Sequence, residues 1–203
     1  MLSVPFLSNF VFLLLRRHTR FGGHPRRAQS AERAYHLSVV YGGQHENHDG
    51  GDHGSLAFAS EKGYVKTVKY LILNGADVHA RGDEALMLAS ENGHLGVVQF
   101  LVTQGADANR GCGALAWASK RGHLDVVKYL VEEGANIHTN NDKALGWASG
   151  DGHLEVIQFL MDQGADVHKN NDEALRLASY GGHLEVVKYL VGEGANIHAN
   201  NDG

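Results

Sequence analysis

The sequence repeats itself about every 30 residues. Gly-His recurs at Gly93-His94, Gly122-His123, Gly152-His153 and Gly182-His183, with Gly63-Tyr64 in the same series, in steps of 30, 29, 30 and 30. Gly-Ala falls at Gly75, Gly105, Gly134, Gly164 and Gly194, each 12 residues after its partner. The residue missing from the short step therefore lies between Gly105 and Ala114. A fixed period of this length marks a chain built of stacked units, each touching only its neighbours. Five units run over about residues 51–80, 81–110, 111–139, 140–169 and 170–203, after an extension, 1–50, that does not follow the period.

One unit reads NNDEALRLASYGGHLEVVKYLVGEGANIHA, residues 170–199. Asp172 is placed as an N-cap and Glu173 suits a first helical turn. Ala174, Leu175, Leu177 and Ala178 form an apolar stripe, and Gly181-Gly182 ends the helix. Leu184, Val186, Val187, Leu190 and Val191 follow at helical spacing, with Glu185 in the first turn. Gly194 stands where a left-handed C-terminal cap is needed. The stretch from Asn196 to Asp202 is rich in turn formers. Helices of roughly 8–10 residues are marginal alone, so neighbouring units must stack.

The run A-L-x-L-A-S-x-x-G-H-L-E-V-V-K-Y-L-V-x-x-G-A-N/D-I/V-H resembles the ankyrin repeat, in all five units. Two departures stand out. The family's T-P-L-H opening is replaced by x-A-L-x, as in Glu173-Ala174-Leu175-Arg176, and the loop between units is about three residues shorter than in the common form. The short unit resembles the ankyrin arrays of giant DNA viruses of amoebae. The resemblance implies an all-α, ankyrin-type α-solenoid of helix-turn-helix repeats with short connecting loops in place of full β-hairpin fingers. It also implies a non-catalytic scaffold that binds a protein partner through a concave groove, with no cofactor and no small-molecule substrate.

Charge is unevenly distributed. Residues 1–50 carry six Arg against Glu32, Glu46 and Asp49, whereas residues 51–203 carry 12 Lys and Arg against 20 Asp and Glu. An acidic array lacks the basic stripe that nucleic acid binding requires. Cys112 is the single cysteine, which excludes a disulfide framework and suits a reducing, cytoplasmic setting; the viral resemblance implies the cytoplasm of an infected host cell. In the extension, the apolar stretch ending at Arg16-Arg17 is about 15 residues, short of the ~20 that span a bilayer. Its arginines follow the apolar run, the reverse of a secretory signal. Three readings stand for this segment: a disordered or spurious extension, a targeting or membrane-adhering segment, and a packed cap.

Fourteen histidines raise the question of metal chemistry. His94, His123, His153 and His183 share one position in the unit, and His79, His138, His168 and His198 share another. Equivalent positions in stacked units lie far beyond the ~2 Å metal–nitrogen bond, so each is read as a histidine hydrogen bonding within its turn. The cluster from His45 to His53 (HENHDGGDH) lacks H-E-x-x-H spacing. Cys112 has no base nearby in sequence, and no phosphate loop is present. No catalytic or metal residue is expected.

Partner binding is read from positions that vary while the framework repeats. The position after Ala-Leu or Ser-Leu holds Ala57, Met87, Ala116, Gly146 and Arg176 in turn. The pairs before Gly-His are Glu91-Asn92, Lys120-Arg121, Gly150-Asp151 and Tyr180-Gly181. Loop tips vary through Arg81, Arg110, Asn140 and Asn170, then Glu84, Gly113, Lys143 and Glu173. By the resemblance, these line the groove. The candidate partner-binding residues are Arg81, Glu84, Met87, Glu91, Arg110, Trp117, Lys120, Arg121, Lys143, Trp147, Asp151, Glu173, Arg176 and Tyr180. Free variation also suits a solvated surface, and Trp117 and Trp147, in the column of Phe58, Leu88 and Leu177, also suit the core.

Three further expectations follow from the columns. Lys69-Tyr70, Lys128-Tyr129 and Lys188-Tyr189 alternate with Gln99-Phe100 and Gln158-Phe159, which copying of a two-unit block explains. A function for the alternation would need a partner touching every second helix. Cys112 stands where other units have Asp83, Asp142 and Asp172, so unit three lacks an N-cap and its loop is the weak joint. Unit five keeps the apolar Leu177, Val187 and Leu190 of interior units, so its outer side leaves an apolar strip suited to end-to-end self-association.

Overall fold

The computed structural model describes residues 53–110 and 113–199. The readings of the extension, of the HENHDGGDH cluster before His53 and of Cys112 fall outside the described residues. Ten α-helices succeed one another with no strand among the described residues: α1 (His53–Glu61), α2 (Val65–Leu73), α3 (Ala80–Glu91), α4 (Leu95–Thr103), α5 (Ala114–Lys120), α6 (Leu124–Glu132), α7 (Lys143–Gly150), α8 (Leu154–Asp162), α9 (Lys169–Gly181) and α10 (Leu184–Gly192). Each odd-numbered helix and the next even-numbered one form a unit. The odd-numbered helices pack closely in one row and the even-numbered helices more loosely in a second, as a solenoid curving towards its first helices requires.

The apolar spacing places the core as read. Leu86, Val97, Val98 and Leu101 of unit two are buried, as are their equivalents Leu115, Val126, Val127 and Leu130, then Leu145, Val156, Ile157 and Leu160. Ala59, Ala89, Ala118, Ala148 and Ala178 are fully buried, and a methyl there lets first helices approach closely. Gly194 takes φ 100°, and the other four glycines of the Gly-Ala series lie between 89° and 98°. They close the second helices in the left-handed cap the sequence predicts.

The Gly-His histidines act between units, not within their own turn. His94 Nε2 donates to the Glu61 carbonyl at 2.8 Å, His123 to that of Glu91 at 3.0 Å, His153 to that of Lys120 at 2.9 Å and His183 to that of Gly150 at 2.9 Å. Each acceptor is the last residue of the preceding unit's first helix, a carbonyl that the helix itself leaves unpaired. The imidazole lies against the glycine of that preceding unit: a Cβ at Gly63, Gly93, Gly122 or Gly152 would come within 2.5–2.6 Å of the ring.

The aspartates precede their helices as the sequence predicts, Asp142 at the N-cap position of α7, but their side chains do not cap. Asp83, Asp142 and Asp172 have φ of 62°, 57° and 54°; Asp142 makes no side-chain cap hydrogen bond, and the carboxylates of Asp83 and Asp172 accept from the amide of a later loop. The residues before them are also left-handed, Arg81-Gly82, Asn140-Asn141 and Asn170-Asn171, so helical geometry in α3 and α9 begins only after the aspartate. Asn, Asp and Gly are the residues that enter this region at least cost. The carboxylates are buried and join successive loops. Asp142 accepts from His138 Nδ1 at 2.8 Å and from the Asp166 amide, 24 residues later, at 3.1 Å. Asp172 accepts likewise from His168 and the Asn196 amide, and Asp83 from His79 and the Asp107 amide.

Unit three is wired differently. Asn109 stands in the column of His79, His138 and His168, and its Oδ1 accepts directly from the Asn136 amide at 2.7 Å. The amide that a restored aspartate would seek is therefore already engaged. Cys112→Asp alone is expected to leave stability unchanged. Asn109→His with Cys112→Asp, which rebuilds the pair, is expected to gain about 1 kcal/mol. Urea denaturation of both variants checks this.

The alternation of Lys-Tyr with Gln-Phe has a packing consequence that needs no partner. Lys69 of unit one lies 5.3 Å from the Phe100 ring of unit two, and Lys128 of unit three lies 5.8 Å from Phe159 of unit four. Odd units supply a cation and even units a ring face, a contact worth about 0.5–1 kcal/mol when exposed. In unit five, Lys188 pairs instead with Glu185 on its own helix.

On the outer side of unit five, Val187 is only half-buried, whereas its equivalents Val98, Val127 and Ile157 are fully buried. Tyr180 (94%), Leu184 (61%) and Ile197 (64%) are exposed. Leu190 is fully buried and Leu177 half-buried. The open strip is therefore made by Tyr180, Leu184, Val187, Val191 and Ile197, and Leu177 and Leu190 belong to the stack.

Candidate functional site

The odd-numbered helices and the left-handed loop ends before them form one continuous face. Between units two and three it carries a depression of about 280 Å³, lined by Arg81, Gly82, Asp83, Glu84, Leu86, Met87, Asp107, Arg110, Ala114 and Trp117. Five sequence candidates thus meet at one place: Arg81, Glu84, Met87, Arg110 and Trp117. Two ion pairs frame it. Arg81 reaches Glu84 at 3.4 Å, and Arg110 crosses from the next loop to the buried Asp83, also at 3.4 Å. The left-handed conformation at Arg81 (φ 52°) is what sets that side chain on the rim.

Trp117 continues into a second cluster. Its ring meets Trp147 edge-on, centroids 5.0 Å apart and planes at 64°. Lys120 Nζ lies 5.1 Å from both indoles, and Lys143 Nζ lies 4.3 Å from Trp147. The pair forms because both tryptophans stand at the same position of adjacent units, where first helices pack closest. Both rings are half-buried, so each is at once a packing residue and part of the surface. Trp117 Nε1 is buried without an acceptor.

The family then follows from the sequence of these units. The family model for ankyrin repeats (3 copies) matches residues 56–141 and 136–201. The chain belongs to the ankyrin-repeat family. No curated protein matches it. Ankyrin repeats are generally protein–protein interaction modules and typically non-catalytic.

The other candidates on this ankyrin surface are placed apart from the two clusters. Glu91 and Arg121 pair across units at 2.6 Å, at the opposite end of the first helices. Asp151 is exposed just past α7, and Glu173 accepts from Asn170 Nδ2 at 2.8 Å. Arg176 and Tyr180 are exposed on the last unit. The column of Met87 and Arg176 is a mixed one: Ala57, Ala116 and Gly146 are buried in it. A Cβ on Gly146 would lie 3.6 Å from Leu177 of the next unit. Variation there adjusts the fit between units as well as the surface.

Sequence reasoning missed Asp83, Asp107, Gly82 and Ala114 in the depression. The signal was the recurrent Asp at the loop end, read as a cap. Among the described residues, no group of three or more His, Cys, Asp or Glu could hold a metal ion. No helix among them is long and apolar enough to cross a membrane.

Proposed function

We propose that the array is a non-catalytic scaffold that holds a protein partner across the face of its odd-numbered helices and loop ends. The observation that carries this is the contrast between columns. The His, Asp, Gly and Ala columns are fixed by bonds and contacts between units, while the face bearing Arg81, Met87, Trp117, Trp147 and Arg176 changes chemistry from unit to unit. Aromatic and arginine side chains set in a depression have the make-up of interface anchors. The single cysteine supports a reducing, cytoplasmic setting, and the 30-residue unit supports the likeness to the arrays of giant DNA viruses of amoebae.

The test uses the full chain as bait in two forms. One carries Arg81→Ala, Arg176→Ala and Tyr180→Ala, all exposed on the first-helix side. The other carries Lys66→Ala, Gln99→Ala and Gln158→Ala, exposed on second helices. A partner retained by the second form and lost by the first supports the proposal. A partner kept by the first and lost by the second places binding on the opposite side.

The open strip of unit five favours a second reading, end-to-end self-association. Sedimentation at high micromolar concentration is expected to show species larger than the monomer, and Leu184→Lys with Ile197→Thr to restore the monomer. A monomeric unmodified chain removes this reading.

A further inference from the structure

Within the face proposed above, the charges are not evenly satisfied. Arg81, Arg110 and Arg121 each have a carboxylate partner. Among the described residues, Lys120 and Lys143 have none, although both are half-buried and both lie over the same Trp147 ring. Asp142, next to Lys143 in sequence, accepts from His138 and the Asp166 amide, and Glu173 accepts from Asn170. Two ammonium groups converging on one indole repel each other. Cation–π attraction offsets only part of that.

An anion at this position would answer both ammonium groups. We propose that the Lys120–Trp147–Lys143 cluster seats the carboxylates of an acidic segment of the partner protein. The adjoining depression, with Met87 and Trp117 in its wall, takes an apolar side chain next to those acids. This rests on the scaffold reading and gives it a ligand chemistry. A strongly acidic array repels an acidic partner everywhere else, so the cluster also fixes where along the face such a segment docks. Nucleic acid fits less well. The Trp147 ring, covered by two lysines and met by Trp117, leaves no open platform for a base.

Both tryptophans of the chain are in this cluster, so tryptophan fluorescence, excited where tyrosine does not absorb, reports on it. The full chain is titrated with the blocked peptide Glu-Glu-Leu-Glu-Glu, its Gln-Gln-Leu-Gln-Gln counterpart and an oligothymidylate. The acidic peptide is expected to give a saturable change that weakens with salt. The neutral peptide is expected to bind about tenfold or more weakly, with a similar loss for the acidic peptide on Lys120→Gln or Lys143→Gln. Lys66→Gln, a charge removed from a second helix, is expected to change nothing. Equal binding of the neutral peptide overturns the proposal, as does no response to the acidic peptide or tighter binding of the oligothymidylate. The first two outcomes leave the scaffold reading standing, because that reading is judged by the retention of a partner on the two bait forms.

Discussion

Gly122→Ala is expected to lower the unfolding free energy by about 2–4 kcal/mol, and Gly182→Ala by only about 1 kcal/mol. The two glycines occupy the same position of their units and have nearly the same backbone, φ 73° and 74°. The left-handed cost of a Cβ is therefore common to both. The difference lies in what the Cβ meets. At Gly122 it would sit 2.5 Å from His153 Nδ1 and 2.7 Å from Cε1, whereas at Gly182 nothing lies within 4 Å. His153 is held in place because its Nε2 donates to the Lys120 carbonyl. To make room the ring must give up that bond and leave the carbonyl unpaired. Stability in a stacked array is close to a sum of unit and interface contributions, so the damage should fall on the boundary between units three and four. Urea denaturation followed by circular dichroism measures both losses. Equal losses would show that the ring moves aside at no cost and that the histidine ladder contributes little.

The fold was legible because its information is local and periodic. Leu184, Val186, Val187 and Leu190 announce an amphipathic helix by spacing alone, and Gly194 announces the cap that ends it. A 30-residue period then places each helix beside its copy, since equivalent apolar faces have nothing else to cover them. The two tryptophan positions were legible as a column, although not as a pair with two lysines over one ring. What was misread involves partners far away in sequence. His153 resembles a turn histidine until the carbonyl it binds, 33 residues earlier, is seen. Asp142 stands at the N-cap position, where an aspartate side chain usually caps its own helix, and here it does not. Its neighbours Asn140 and Asn141 held the contrary signal. Three successive residues that tolerate left-handed geometry turn the chain so that the carboxylate faces the next loop, not its own helix. Asn109 carried the same lesson in reverse: a histidine column interrupted by a residue able to accept the loop amide by itself.

Asp142→Ala is expected to cost about 3 kcal/mol. Two hydrogen bonds to a buried carboxylate account for roughly 1.5–3 kcal/mol, and an alanine held in the left-handed region adds roughly 1 kcal/mol. Asp142→Asn keeps an acceptor and a residue that tolerates φ 57°, so it is expected to cost only about 1 kcal/mol. Capping and bridging make different predictions for His138, which donates to Asp142 across four residues. A helix cap would act without the imidazole, and losses from Asp142→Ala and His138→Ala would then add. A bridge requires both ends, so the double variant should lose less than the sum, by about 1 kcal/mol or more. Thermal and urea unfolding of the two single variants and the double variant complete the cycle. Strict additivity would return Asp142 to the role of a cap and remove the aspartate column from the forces that hold one loop against the next. Coupling would mean that the spacing between loop tips, and with it the position of Arg110 and Lys143 on the face proposed to bind, is set by carboxylates buried beneath them.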